Sequence, residues 1–170
     1  CVISPSKSFL TVPLKERVLA EKRFKNELGL KIKYGKNIKE KDMLGSSPLD
    51  SRLKDLHSAF ADKKAKAVIC AYGGTNSNTL LPHINWNIIK KNPKPFIGYS
   101  DITALNNAIY AKTGLVTYSG PTFSDFATKR GFEYSMEYFQ KCLFSKNSYE
   151  VVPSGKKNDG PIVLREGKAK

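Results

Sequence analysis

The stretch Lys94-Pro95-Phe96-Ile97-Gly98-Tyr99-Ser100-Asp101-Ile102-Thr103-Ala104-Leu105 constrains this chain more than any other. Residues 95–99 have the length and apolar character of a buried strand, and residues 101–112 read as a helix stopped by Gly114. A serine at that hinge has two roles open to it. Its hydroxyl can cap the helix by accepting a hydrogen bond from the free amides of the first turn. Alternatively, a tight strand-to-helix turn lifts the hydroxyl above the sheet edge as a nucleophile, where the helix amides favour developing negative charge. Gly98-Tyr99-Ser100-Asp101-Ile102 lacks the second glycine of the G-x-S-x-G pattern, so the motif leaves both roles open.

A second apolar run, Ala67-Val68-Ile69-Cys70-Ala71-Tyr72, ends in Gly73-Gly74-Thr75-Asn76-Ser77-Asn78-Thr79-Leu80-Leu81-Pro82. Two strand C-termini followed by small polar residues are what an open parallel sheet needs to build a site at its carboxyl edge. With no side chains at Gly73 and Gly74, a substrate carbonyl can approach backbone amides closely. A turn that requires positive φ accounts for the same pair.

The rest of the chain alternates strand and helix. Val2-Ile3-Ser4 reads as a short first strand, and Pro5-Ser6-Lys7-Ser8 as a plain polar loop. Residues 14–28 read as a helix with Leu14, Val18, Phe24 and Leu28 on one face and Gly29 as its stop. Leu30, Ile32 and Tyr34 alternate with Lys31 and Lys33, which predicts a strand near a sheet edge. Leu49, Leu53, Leu56 and Phe60 form the core stripe of a further helix. Residues 76–81 suit a short helix before Pro82. Trp86, Ile88 and Ile89 suit packing, and Ala104, Leu105, Ala108 and Ile109 the inward face of the serine helix.

Residues 115–118 read as a strand broken by Gly120-Pro121, residues 134–144 as an amphipathic helix carrying Met136, Phe139 and Leu143, and residues 149–152 as a short strand. The pattern predicts an α/β fold, a flavodoxin-like or Rossmann-like parallel sheet sandwiched by helices, with right-handed crossovers. It spans a domain over residues 1–152, with 153–170 as a linker in which Pro161-Ile162-Val163-Leu164 is the sole apolar cluster.

Composition enters through charge. The formal net charge is +14, which raises nucleic acid, anionic membrane or an anionic substrate as partners. The lysines are scattered, however, with neither zinc-finger spacing nor an aromatic RNA-binding signature, so a solvated surface is expected and nucleic acid is not. No apolar run approaches the ~18 residues of a membrane span, and no membrane partner is expected. Cys1, Cys70 and Cys142 are far apart and odd in number, which suggests reduced thiols in a cytoplasm.

In the residues quoted, the chain resembles the LD-carboxypeptidase family of serine peptidases, including its microcin C immunity branch. The match runs through Gly73-Gly74, Ser77-Asn78, Leu80-Leu81-Pro82, the whole serine segment, Lys112-Thr113-Gly114-Leu115-Val116-Thr117 and Gly120-Pro121. Ile3-Ser4-Pro5-Ser6 and Asp55-Leu56-His57-Ser58-Ala59-Phe60-Ala61-Asp62 fit in the expected order. The resemblance implies that Ser100 is the nucleophile, and that the amide of Asp101 and one amide of Gly73 or Gly74 form the oxyanion hole. Thr75, Asn76 and Ser77 would bind substrate, without metal or cofactor. Thr75-Asn76-Ser77-Asn78 looks more like the microcin immunity branch, which serves antibiotic resistance, than the peptidoglycan-recycling branch.

Members of the family are about twice this length and take the glutamate and histidine of a Ser-Glu-His triad from a C-terminal domain. The expectation is therefore the N-terminal half of a cytoplasmic bacterial hydrolase, a homodimer at full length, inactive as this segment alone. Its substrate would be a peptide or an aminoacyl-nucleotide. His57 and His83 match neither triad position. The competing readings are a non-catalytic flavodoxin-like module that binds an anion or nucleotide, and a basic nucleic-acid-binding domain.

Overall fold

Three of the predicted apolar runs pair side by side as parallel strands: β1 (Val2–Ile3), β2 (Val68–Cys70) and β3 (Phe96–Ile97), in the order β1-β2-β3. The structure is a computed structural model that describes residues 1–153 and residue 167. The predicted linker therefore lies almost wholly outside the described residues. Successive side chains of a strand point to opposite faces, and here both faces are covered. Ile3, Val68, Cys70 and Phe96 enter one core, while Val2, Ile69 and Ile97 enter the other. That explains why these runs are apolar throughout rather than alternating.

The first core is closed by α2 (Leu49–Ala61), α3 (Trp86–Lys91) and α4 (Thr103–Thr113), through Leu56, Phe60, Ile89, Leu105 and Ile109. The second is closed by α1 (Leu14–Asn26), α5 (Glu133–Phe144) and a 3₁₀ turn at Phe123–Ala127, through Phe24, Phe123, Phe126 and Phe139. The result is the predicted α/β arrangement of a parallel sheet flanked by helices.

The edges are thinner than the sequence predicts. Residues 30–34 contribute a single parallel bridge, Tyr34 to Val2, and residues 115–118 another, Tyr118 to Ile97. Counting these two segments, the spatial order is second-first-third-fourth-fifth in chain sequence, which is the flavodoxin order. Its topological switch point falls between β1 and β2. Residues 149–152 form no strand. They are held by hydroxyls of α5 instead: Tyr134 Oη donates to the Val152 carbonyl at 2.7 Å, and Tyr138 Oη accepts the Val152 amide at 2.8 Å.

Helix α1 turns only part of the predicted face inward: Phe24 is buried and Leu28 packs against the second core, as expected. Leu14 and Val18 are exposed, and the buried positions are Ala20 and Phe24. Arg23 explains the difference, because its Nη1 donates to the carbonyls of Phe126 at 2.9 Å and Thr128 at 2.7 Å, locking the helix against the 3₁₀ turn. Among the described residues, no helix is long and apolar enough to cross a membrane.

Candidate active site

The chain leaves β3 through Gly98, where a Cβ would meet Ile102 Cγ2 at 2.8 Å, so glycine lets the strand end close against the following turn. Ser100 then takes φ +61°, the one non-glycine residue with positive φ among the described residues. A left-handed conformation costs an L-residue about 1–2 kcal/mol. The backbone passes into a 3₁₀ turn at Ser100–Ile102 and on into α4, which ends where Gly114 adopts φ +74°. Neither the turn nor α4 has a side-chain cap, and Ser100 Oγ makes no hydrogen bond among the described residues. The capping role is thus absent. What remains is a strained, exposed serine whose hydroxyl has no protein partner.

Gly73 lies against it. A Cβ on Gly73 would stand 3.2 Å from Ser100 Cβ and 3.3 Å from Ser100 Oγ, so a side chain there would press on the hydroxyl. At Gly74 a Cβ would overlap Ser6 Oγ. The amides of Gly73, Gly74 and Asp101 donate to no protein acceptor among the described residues. Unpaired amides beside an unpaired hydroxyl are the raw material of an oxyanion hole.

The side chain of Asp101 has a separate job that local sequence does not reveal. Its Oδ2 accepts hydrogen bonds from Ser6 Oγ at 2.5 Å, the Asn76 amide at 3.0 Å and the Ser77 amide at 2.9 Å. In return, Ser77 Oγ donates to the Asp101 carbonyl at 2.7 Å. Of the three residues expected to bind substrate, Ser77 is therefore fully buried and structural, Asn76 is held in the same network, and Thr75 is exposed. Ser6 and Arg52 complete the network from positions that sequence reasoning assigned to a plain loop and a core helix. The Pro5-Ser6 step after the first strand is the available signal for Ser6; Arg52 is one of several charges on its helix, with Asp50, Lys54 and Asp55, and nothing local singles it out.

Two tyrosines, Tyr72 and Tyr99, stand exposed at the ends of β2 and β3. Tyr99 Oη donates to Asp125 Oδ1 at 3.2 Å, and burial together with that carboxylate pushes its phenol above the usual range, so it stays a neutral donor. Tyr99 and Asp125 also border a cavity of about 700 Å³ that continues past Tyr118, Pro121, Tyr134 and Tyr138. Among the described residues, no cluster of histidine, cysteine or carboxylate side chains could hold a metal ion.

Neither histidine reaches Ser100 by a hydrogen bond. His57, on α2, accepts the Asn85 amide through Nε2 at 2.9 Å, and burial lowers its pKa from the ordinary 6.5. A lowered folded-state pKa means that the unfolded chain binds the extra proton first. The contribution of neutral His57 to stability is intact above the ordinary value and is lost as pH falls toward the folded pKa. The thermal midpoint should therefore fall as pH drops from about 7 through 6, and His57→Gln, which keeps an acceptor, should flatten that slope. An equal slope in the variant would assign the pH dependence elsewhere.

The sequence profile of the LD-carboxypeptidase N-terminal domain matches residues 1–120. YocD of Bacillus subtilis, a protein named as a carboxypeptidase, is 41% identical over 184 residues, covering 99% of this chain and 56% of its own length. The solved structure of an MccF-like protein from Bacillus anthracis superposes with a TM-score of 0.82 at 52% identity, over 84% of this chain and 43% of that one. A microcin C7 self-immunity protein MccF in complex with aspartyl sulfamoyl adenosine superposes with a TM-score of 0.79 at 32% identity, over 89% and 47%. The chain thus spans about half the length of the proteins it matches.

Proposed function

We propose, given that the chain belongs to the LD-carboxypeptidase family, that it supplies the nucleophile and oxyanion hole of a serine hydrolase cleaving an amide bond. The observation that carries this reading is Ser100: positive φ, exposed, its hydroxyl unpaired, and set against Gly73 at a strand-to-helix turn. In the reaction, Ser100 Oγ attacks the substrate carbonyl carbon and gives up its proton to a base. The carbonyl oxygen becomes an oxyanion received by the amides of Asp101 and of Gly73 or Gly74, a contribution on the order of 3 kcal/mol per donor. The C–N bond then breaks, the leaving nitrogen takes the proton, and water hydrolyses the acyl-enzyme with the same base.

We place the base in the part of the relatives' length that this chain does not span. Both histidines here are accounted for otherwise, one as the acceptor for Asn85 and the other on an exposed turn. Residues 1–170 alone are then inactive, because a serine without a base holds almost no alkoxide at neutral pH. The three free cysteines are in keeping with a cytoplasmic setting.

The substrate favoured is an amide that joins an amino acid to a nucleotide. Thr75-Asn76-Ser77-Asn78 resembles the immunity branch, and the related MccF structure holds an aspartyl sulfamoyl adenosine. With the full-length protein, kcat/KM for such an aminoacyl-nucleotide should exceed that for an L,D-tetrapeptide at least ~10-fold, which is ~1.4 kcal/mol of differential transition-state binding. The reverse preference would move the enzyme to the recycling branch. Turnover of neither, with tight nucleotide binding, would favour the non-catalytic module.

A further inference from the structure

Arg52 sits inside the apolar stripe of α2, 6% exposed, and forms no ion pair among the described residues. A buried cation is costly unless its donors are satisfied. Here the two terminal nitrogens find oxygens from two different loops, while Nε is buried without a partner among the described residues. Nη1 donates to the Pro5 carbonyl at 3.2 Å, the Asn76 carbonyl at 3.1 Å and Asn76 Oδ1 at 3.3 Å, while Nη2 reaches Thr79 Oγ1 at 3.4 Å. Pro5 follows β1 and Asn76 follows β2, so one guanidinium ties together the two loops that flank the switch point of the sheet. Burial lowers the Arg52 pKa, and Asp42 and Asp101 act in the opposite direction. An arginine remains cationic in any such setting.

Asn76 is consequently gripped at both ends. Its amide is held by the Asp101 carboxylate and its carbonyl by Arg52. These bonds anchor the far end of the Gly73–Asn76 loop, whose near end is held where the Gly73 carbonyl accepts the Lys7 amide at 3.3 Å, and Gly73 is the residue that stands against Ser100. We infer that Arg52 is a positioning residue for the oxyanion hole: through Asn76 it anchors the loop whose glycine amides receive the developing negative charge. The inference rests on Ser100 being the nucleophile. A fork of donors is required because the acceptors come from several directions. The single ammonium of lysine can satisfy one or two of them, and an apolar side chain would strand them all.

The test uses the full-length protein and a fluorophosphonate probe that reacts with activated serines, with its binding and covalent steps resolved. Arg52→Ala should slow the covalent step ~10²-fold while probe binding changes less than ~3-fold, the pattern expected when reacting groups are misplaced by about an ångström. Added guanidinium ion should restore part of the rate. Arg52→Lys keeps the charge and the stem and should fold like the wild type, with the covalent step reduced ~10-fold. A covalent step in Arg52→Lys equal to wild type overturns the inference, whatever happens to the thermal midpoint. So does a loss confined to probe binding. Wild-type protein that is not labelled at Ser100 at all would overturn the nucleophile reading itself, and this inference with it.

Discussion

Replacing Ser100 with glycine in the full-length protein is expected to abolish turnover while making the fold slightly more stable. Loss of the nucleophile should reduce kcat at least ~10³-fold. Stability moves the other way because Ser100 holds φ +61°. Glycine removes the Cβ clash of a left-handed residue, worth about 1–2 kcal/mol, and gives back part of that as extra unfolded-state entropy. A net gain of about 0.5–1 kcal/mol should remain. Ser100→Ala separates the two effects. It removes the same oxygen but keeps the Cβ, so it should lose activity equally and leave stability nearly unchanged, since the exposed hydroxyl has no partner to lose. A helix cap would behave oppositely, with activity kept and ~1 kcal/mol of stability lost on going to alanine. Measuring turnover and thermal midpoint for both variants decides the matter, and an active Ser100→Ala would end the hydrolase reading.

The same residue shows why part of this architecture is legible in the sequence. The backbone pattern of residues 94–105 is local: an apolar run, a glycine, a serine and a helical period occupy adjacent positions, so composition and spacing report the turn directly. Strands buried on both faces are likewise visible as unbroken apolar runs at Val68–Cys70 and Phe96–Ile97. What the sequence hides is set by partners far along the chain. The Asp101 carboxylate meets Ser6, 95 residues away, and Arg52 meets Pro5, 47 residues away. No local period encodes either contact. The N-terminal half of α1 departs from its apolar period for a related reason, while Phe24 and Leu28 follow it. Leu14 and Val18 obey helical spacing, but Arg23 bonding to the turn after the fifth strand segment decides which face is covered. The edge segments around Tyr34 and Tyr118 carry strand-like alternation yet bridge at one residue each, because each has a sheet neighbour on a single side.

Substituting Asp101 should then be the most damaging change that leaves Ser100 and every backbone amide in place. Its Oδ2 accepts three hydrogen bonds, from Ser6 Oγ, the Asn76 amide and the Ser77 amide. Bonds to an ionised acceptor are each worth about 1.5–3 kcal/mol, and donors left unpaired in a partly buried site cost a further increment. These values do not add in full, because the loop can relax and water can replace the carboxylate. A loss of about 3 kcal/mol for Asp101→Ala is the expected net effect. Activity should fall as well, by ~10² or more in kcat, because the Asn76 amide anchors the far end of the loop that carries Gly73, the residue against Ser100. Asp101→Asn retains one acceptor oxygen without the charge, and it should lose about half as much stability and ~10-fold in kcat. The graded series is what distinguishes this account from the view that only the Asp101 amide matters. On that view both variants would keep the oxyanion donor, and kcat would stay within a few-fold of wild type.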